Sequence, residues 1–123
     1  MAIPIVKQGD VLVASIQADP EDQELNQLRD ELVAKVGKHR SRGVVVDVTP
    51  LDVLDSFAVR TLQCIAHVTQ LRGATTVVVG IQPDVAFALV QLGLSLDGIE
   101  TALDQEEGLI ILDRQIAKGK GHA

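Results

Sequence analysis

The sequence predicts an α/β domain with a mainly parallel β-sheet, an N-terminal β-hairpin and about four helices. Two continuous β-branched runs, GVVVDV and ATTVVVGI, are typical of strands that are covered on both faces of a sheet. Amphipathic segments with apolar residues at helical spacing separate these runs along the chain. Because strands and helices alternate, right-handed crossovers and parallel strand neighbours are expected.

The first third of the chain predicts the hairpin and a long helix. Ile3–Lys7 and Val11–Ile16 are β-rich runs, and the Gly-Asp pair between them indicates a tight turn. Asp19 is the expected N-cap of the helix, with Pro20 at its first position. The apolar face of this helix, which has about five turns, is formed by Leu25, Leu28, Leu32, Val33 and Val36.

The rest of the chain predicts three more helices and a short strand. A helix that begins near Ser56 should end at Arg72-Gly73, and another should run from Pro83 to Gly93. Ile99–Leu103 is a short extended piece, and Asp104 caps the last helix with Glu107 three residues on. With 123 residues we expect one domain over 1–123, with a core over 3–116 and a frayed tail over 117–123.

Composition and charge limit the classes of partner that this chain is expected to bind. Aromatic residues make up only 2% of the chain, so few rings are available to stack on bases. The formal net charge of -6 disfavours nucleic acid and suits a protein that meets a basic protein surface. No signal peptide is recognisable, and no apolar run approaches the roughly 20 residues of a membrane span. The single cysteine fits a reducing compartment, so we expect a cytoplasmic protein.

Motifs for catalysis, cofactors and metals are missing from the sequence. It contains no Walker A loop, no GxGxxG after a strand and no Gly-x-Ser-x-Gly. His39, His67 and His122 are scattered, and none stands at ligand spacing from Cys64, which we expect to be a small buried apolar group. A protein without enzymatic activity, metal or cofactor is therefore predicted.

The loop from Asp47 to Phe57 is the candidate functional segment, since parallel α/β sheets place functional groups at the carboxyl ends of strands. Ser and Asp before an apolar helix are ordinary caps, so capping alone is one interpretation. If Asp55 is the cap, however, Ser56 keeps a free hydroxyl that could accept a phosphate beside Asp52.

Phosphate at this position would add about -1.5 to -2 charges, and the helix start can receive it without unfolding the domain. The added charge lies next to acidic residues, so it would weaken binding of a partner that the unmodified protein binds. We expect Leu54 and Phe57 to be exposed apolar residues that dock that partner.

Several segments together resemble the STAS domain family: IPIVKQGDVLVASIQ, GVVVDVTPLDVLDSF, GIQPDVA and IETALDQEEGL. The likeness covers about residues 3 to 116 and is most specific to the RsbS-type core proteins of the bacterial stressosome. It implies co-assembly with RsbR-type STAS proteins, sequestration of an RsbT-type serine kinase, and release of that kinase when Ser56 is phosphorylated. A PP2C-type phosphatase would then reset the serine. The predicted kinase surface comprises Thr49, Asp52, Leu54, Asp55 and Phe57.

One difference from the pattern of the family distinguishes its stressosome branch from ordinary anti-sigma factor antagonists. Ordinary anti-sigma factor antagonists often continue Asp-Ser-Ser-Gly, whereas Phe57-Ala58 follows the Asp-Ser pair here. This favours the stressosome branch, while a single-partner anti-sigma factor antagonist switched by the same serine is the alternative. A homo-oligomer or dimer of the chain alone is also expected. Whether Thr49, Thr75 or Thr76 is a second phosphorylation site stays open, and capping or burial is the simpler role for each.

Overall fold

Five strands form one sheet in which they lie in chain order. The first two form an antiparallel hairpin, and every later neighbour is parallel. The computed structural model describes the backbone of residues 3–120 and the side chains of residues 3–118. The strands are β1 (Ile5–Gln8), β2 (Val11–Ser15), β3 (Gly43–Asp47), β4 (Thr75–Val79) and β5 (Glu100–Ala102). The predicted α/β architecture with an N-terminal hairpin is confirmed.

Four helices connect or follow the strands within the described residues, which also agrees with the prediction. They are α1 (Asp22–His39), α2 (Ser56–Leu71), α3 (Pro83–Gln91) and α4 (Gln105–Lys120). Glycines with positive φ follow α2 and α3, as expected for helix ends: φ is 89° at Gly73 and 69° at Gly93.

The continuous valine runs are explained by helices on both faces of the sheet. Val44 and Val46 of β3 pack with the large core beneath α1, α2 and α3. Val45 points to the opposite face, where it joins a smaller core with Leu112 of α4. A strand buried on both faces needs no polar alternation, and this is why β3 and β4 read as unbroken apolar segments.

The predicted start of the first helix was wrong. Asp19 has φ 53°, a left-handed conformation, whereas an N-cap residue adopts an extended one. The N-cap is Glu21, whose backbone N–H donates to Glu24 Oε1 at 3.0 Å. The chain therefore turns at Asp19, and Pro20 lies outside the helix. Apart from Val33, which is half-buried, the residues predicted for the apolar face of this helix are buried.

The last helix begins as predicted but continues further. Asp104 Oδ1 accepts a hydrogen bond from the backbone N–H of Glu107 at 2.9 Å, which caps the first turn of α4. The helix extends to Lys120, beyond residue 117, where the sequence predicted a frayed tail. Residues 121–123 lie outside the described residues.

Candidate functional site

The segment between β3 and α2 lies at the carboxyl edge of the sheet. The backbone N–H of Val48 donates to the carbonyl of Val79 at 3.0 Å, so the loop leaves β3 alongside the end of β4. Leu51 and Leu54 are both buried in the large core and anchor the middle of the loop. The loop is therefore fixed at several points before the chain enters α2.

Asp55 is the N-cap of α2, as one interpretation of the sequence required. Its Oδ1 accepts a hydrogen bond from the backbone N–H of Ala58 at 2.8 Å. Ser56 is the first residue of the helix and is exposed. No hydrogen bond to its hydroxyl is present within the described part of the chain. Because the capping role is filled by Asp55, the hydroxyl of Ser56 is available for chemistry.

The expected exposure of Leu54 and Phe57 was wrong. Leu54 is only 5% exposed, and Phe57 is half-buried and packs against the large core. Both face inward because the loop must close the core at the start of α2. The neighbouring Val53 is 72% exposed instead, so it is the apolar residue that the loop presents to solvent.

An open groove of about 440 Å³ separates this loop from α3. Its apolar wall is formed by Val85, Ala88 and Leu92, and the loop contributes Val53. The rim on the side of α2 is polar and is formed by Asp52, Asp55 and Ser56. The candidate phosphoacceptor therefore stands at the edge of an apolar groove.

The contribution of α3 was missed in the sequence. Leu92 at its end and Phe87 and Val90 on its outer surface are all exposed. A signal was present, because PDVAFALVQ has apolar residues on more faces than a single core contact can cover. Such a helix on the surface of a small domain indicates an interaction face.

A hydrogen-bond network holds the first half of the loop. Asp47 Oδ1 accepts from the backbone N–H of Thr49 at 2.9 Å and from its hydroxyl at 2.5 Å. Asp47 Oδ2 accepts from Gln105 Nε2 at 2.8 Å, and Gln82 Nε2 donates to the carbonyl of Thr49 at 2.5 Å. Thr49 is exposed, yet its hydroxyl is engaged, so its role in this structure is to position the loop.

Gly80 makes this network possible. It has φ 81°, and a Cβ at this position would overlap the Thr49 hydroxyl and lie 3.1 Å from Asp47 Oδ1. Glycine is therefore required both for the left-handed backbone and for the close approach. Neither Gly80 nor the two glutamines could be assigned from the sequence, because their partners lie far away along the chain.

The network changes the acidity of Asp47. Partial burial raises the pKa of this carboxyl, but hydrogen bonds from the Thr49 side chain and backbone and from Gln105 lower it by more. The net result is a pKa below the ordinary value of 3.8. The charged form of Asp47 is thus the form that holds the loop.

Asp47→Asn is expected to lower the thermal unfolding midpoint at pH 7. Because the folded-state pKa of Asp47 is depressed, its carboxylate stabilises the wild type above the unfolded-state pKa, at about pH 4 and higher. That stabilisation is lost as the pH falls through the folded-state pKa, so the difference between wild type and variant should shrink as the pH falls below about 4. Thermal unfolding monitored by circular dichroism between pH 7 and pH 3 measures the difference. A difference that stays constant over this range would contradict the assignment.

The remaining candidate residues lie outside the loop between β3 and α2. Thr76 is buried and its hydroxyl lies 2.9 Å from that of Thr69, while Thr75 is half-buried at the amino end of β4. Cys64, expected to be buried, is half-buried on α2, where solvent reaches part of the helix surface. His39 is half-buried, His67 is exposed, and His122 lies outside the described residues.

The described residues form neither a metal-binding cluster nor a helix able to span a membrane. Within residues 3–118, no group of three His, Cys, Asp or Glu side chains is arranged to hold a metal ion. None of the helices in the described part of the chain combines the length and apolar character that a membrane crossing requires.

Solved structures of similar proteins cover nearly the whole chain. RsbS from Moorella thermoacetica, solved as a serine-to-glutamate variant, is 35% identical, covers 94% of this chain and 97% of its own, and has a TM-score of 0.81. A chain in a structure of the stressosome, described as a signal integration and transduction hub, is 34% identical over 92% of this chain and 98% of its own, with a TM-score of 0.75. The anti-sigma factor antagonist SpoIIAA in its unphosphorylated form is 14% identical with a TM-score of 0.68 over 92% of this chain and 98% of its own, which shows a common fold.

A curated relative and a family model agree with these structures. The RsbT co-antagonist protein RsbRA of Bacillus subtilis strain 168 is 26% identical over 119 residues, which are 89% of this chain and 43% of that protein. The chain therefore spans less than half the length of that relative. The STAS domain model matches residues 2–107. The chain belongs to the STAS domain family, and within it the chain is similar to the RsbS-type proteins of the stressosome over nearly its whole length.

Proposed function

We propose that this protein is a cytoplasmic stressosome scaffold that retains an RsbT-type serine kinase and releases it when Ser56 is phosphorylated. It assembles with RsbR-type STAS proteins and is a negative regulator of a stress signalling pathway, without enzymatic activity of its own. The observation that carries the proposal is the exposed Ser56 hydroxyl, which stands at the first turn of α2 while Asp55 fills the cap.

The start of α2 tolerates a phosphate on Ser56. Backbone N–H groups and the positive end of the helix dipole favour negative charge at this position. The modification therefore leaves the domain folded and changes only the surface. Because the rim of the groove already carries Asp52 and Asp55, the phosphate concentrates negative charge at the edge of an apolar contact.

The groove beside Ser56 is the proposed docking surface for the kinase. The apolar wall on the α3 side and the exposed Val53 supply most of the hydrophobic contacts. Leu54 is only 5% exposed but also lines the groove, whereas Phe57 packs against the core. Asp52 and Asp55 form the acidic rim, and the partner meets this rim with an apolar surface, against which a further negative charge is costly. Thr49 contributes by fixing the loop through Asp47.

Phosphate mapping tests the proposal. The wild-type protein is incubated with the RsbT-type kinase and ATP, and the modified residue is located by mass spectrometry. We expect phosphate on Ser56 and none on the Ser56→Ala variant. Ser95→Ala is the matched control, since Ser95 is also exposed but lies outside the helix start. Equal phosphorylation of Ser56→Ala and wild type would refute the switch. Addition of a PP2C-type phosphatase should restore the unmodified mass.

The second candidate is a single-partner anti-sigma factor antagonist that uses the same serine. Phe57-Ala58 in place of Ser-Gly and the likeness to a stressosome chain favour the scaffold. Light scattering with and without an RsbR-type protein separates the two functions. A large assembly is expected for the scaffold, whereas only monomers or dimers in both samples would favour the second candidate.

A further inference from the structure

A basic cavity of about 570 Å³ lies at the end of the sheet opposite Ser56, between the carboxyl ends of α1 and α2. Three arginines line it: Arg40, Arg42 and Arg72. None of the described residues that line it is acidic. This concentration of positive charge stands out in a chain whose formal net charge is -6.

Within the residues that the structure describes, none of the three guanidinium groups forms an ion pair with a carboxylate. Guanidinium groups around one cavity repel each other, and the repulsion is relieved when an anion binds among them. Arginine also presents a planar fork of donors that matches the oxygens of a phosphate group.

Because Gly37 of α1 has no side chain, the Arg72 side chain has room at this cavity. A Cβ at position 37 would overlap Nη2 of Arg72 and lie 3.0 Å from its Cζ. Glycine inside a helix costs about 1 kcal/mol relative to alanine, so its presence here is not explained by helix propensity. The missing side chain lets the guanidinium of Arg72 lie across the last turn of α1.

The segment that joins α1 to β3 shows two further anomalies. Arg40 has φ 52°, the left-handed conformation that glycine usually adopts at a helix end. Ser41 is only 2% exposed, and its hydroxyl has no hydrogen-bond partner. The segment is nevertheless held in place, because the backbone N–H of Arg42 donates to the carbonyl of Asp10 at 2.7 Å. A buried hydroxyl without a partner beside three arginines is a polar site whose hydrogen bonds are incomplete.

Helix dipoles account for only part of this arrangement. Arg40 and Arg72 lie at the carboxyl ends of α1 and α2, where cations are favourable. That role requires neither Arg42 nor the buried hydroxyl of Ser41, and it does not require the arginines to share one cavity.

We propose that this cavity binds the pyrophosphate group of a small anionic ligand. The arginines supply the charge and the bidentate donors, and Ser41, whose buried hydroxyl has no partner, is among the residues that line the cavity. The apolar Val36 and Leu71 line the same cavity and provide a surface for a non-polar part of the ligand. The site is independent of Ser56 and of the proposed kinase switch.

Titration of the full-length chain with inorganic pyrophosphate, followed by two-dimensional amide NMR, tests the site. Saturable shifts are expected at the amides of residues 40–43 and 72–74. Arg72→Gln and Arg42→Gln should each weaken the dissociation constant at least tenfold, about 1.4 kcal/mol. Arg114→Gln is the control, since it removes the same charge from an exposed position on α4. A parallel titration with ADP shows which kind of ligand carries the pyrophosphate group. Tighter binding of ADP than of pyrophosphate indicates a nucleotide, and equal or weaker binding indicates the free anion.

Gly37→Ala separates binding from helix stability. The added methyl should displace the flexible end of Arg72 and weaken pyrophosphate binding, while the unfolding temperature stays equal or rises. Absence of saturable shifts at millimolar pyrophosphate would overturn the proposal, as would an equal loss of binding in Arg114→Gln. It would also be overturned if Arg72→Gln lowered stability without changing the affinity, since the arginine would then serve only the helix dipole.

Discussion

Replacing Ser56 with glutamate is expected to weaken binding of the RsbT-type kinase at least tenfold while the domain stays folded. The new carboxylate lies at the first position of α2, where the helix dipole favours negative charge, so no loss of stability is expected. The kinase is affected because the charge stands at the rim of the apolar groove beside Asp52 and Asp55. Burying that charge against an apolar partner, or holding it near an acidic one, is expected to cost about 1.4 kcal/mol or more, which corresponds to the tenfold loss.

The matched control is Ser56→Gln, which has the length of glutamate but no charge. Affinities of wild type and both variants for the kinase are measured by isothermal titration calorimetry, and folding is checked by thermal unfolding. We expect Ser56→Gln to bind within a few-fold of wild type. If glutamine and glutamate weakened binding equally, the effect would be steric and release by charge would be wrong. If glutamate bound as tightly as serine, the groove would not be the kinase surface.

Leu112→Ala is expected to destabilise the protein by about 3 kcal/mol, a large share of the stability of a domain of this size. Leu112, on α4, is 0% exposed and packs against the second face of the sheet. Its Cδ1 approaches Gly43 so closely that a Cβ there would lie 2.9 Å away. The space left by alanine borders rigid strand backbone, so little collapse can fill it.

Ile110→Ala on the same helix is the control for this prediction. Ile110 is 44% exposed, so its truncation should cost much less than that of Leu112. Urea denaturation of wild type and the two variants gives the free energies of unfolding. Similar losses for both variants would contradict the assignment of Leu112 as the anchor of α4.

Much of the candidate site could be predicted from local sequence. Asp55 was one of the possible caps, and the structure shows it in that role with Ser56 free beside it. Local patterns suffice for this because a cap and its helix are separated by a few residues. The docking surface could not be predicted in this way, since Leu54 and Phe57 were expected to be exposed and both pack inward. Which apolar residues of a loop face the core depends on the helix and strands that close over them.

The sequence by itself determined the order of the elements, the mainly parallel sheet and the position of Ser56 at a helix start. These follow from periodicity, β-branched runs and turn residues, which act over short distances. Only the tertiary structure decided that α3 forms the apolar wall of the groove beside Ser56. It alone also placed Gln82 and Gln105 on the Asp47 loop and gathered Arg40, Arg42 and Arg72 around one cavity. Such contacts join residues tens of positions apart, and they exist only because the sheet brings the ends of its strands together.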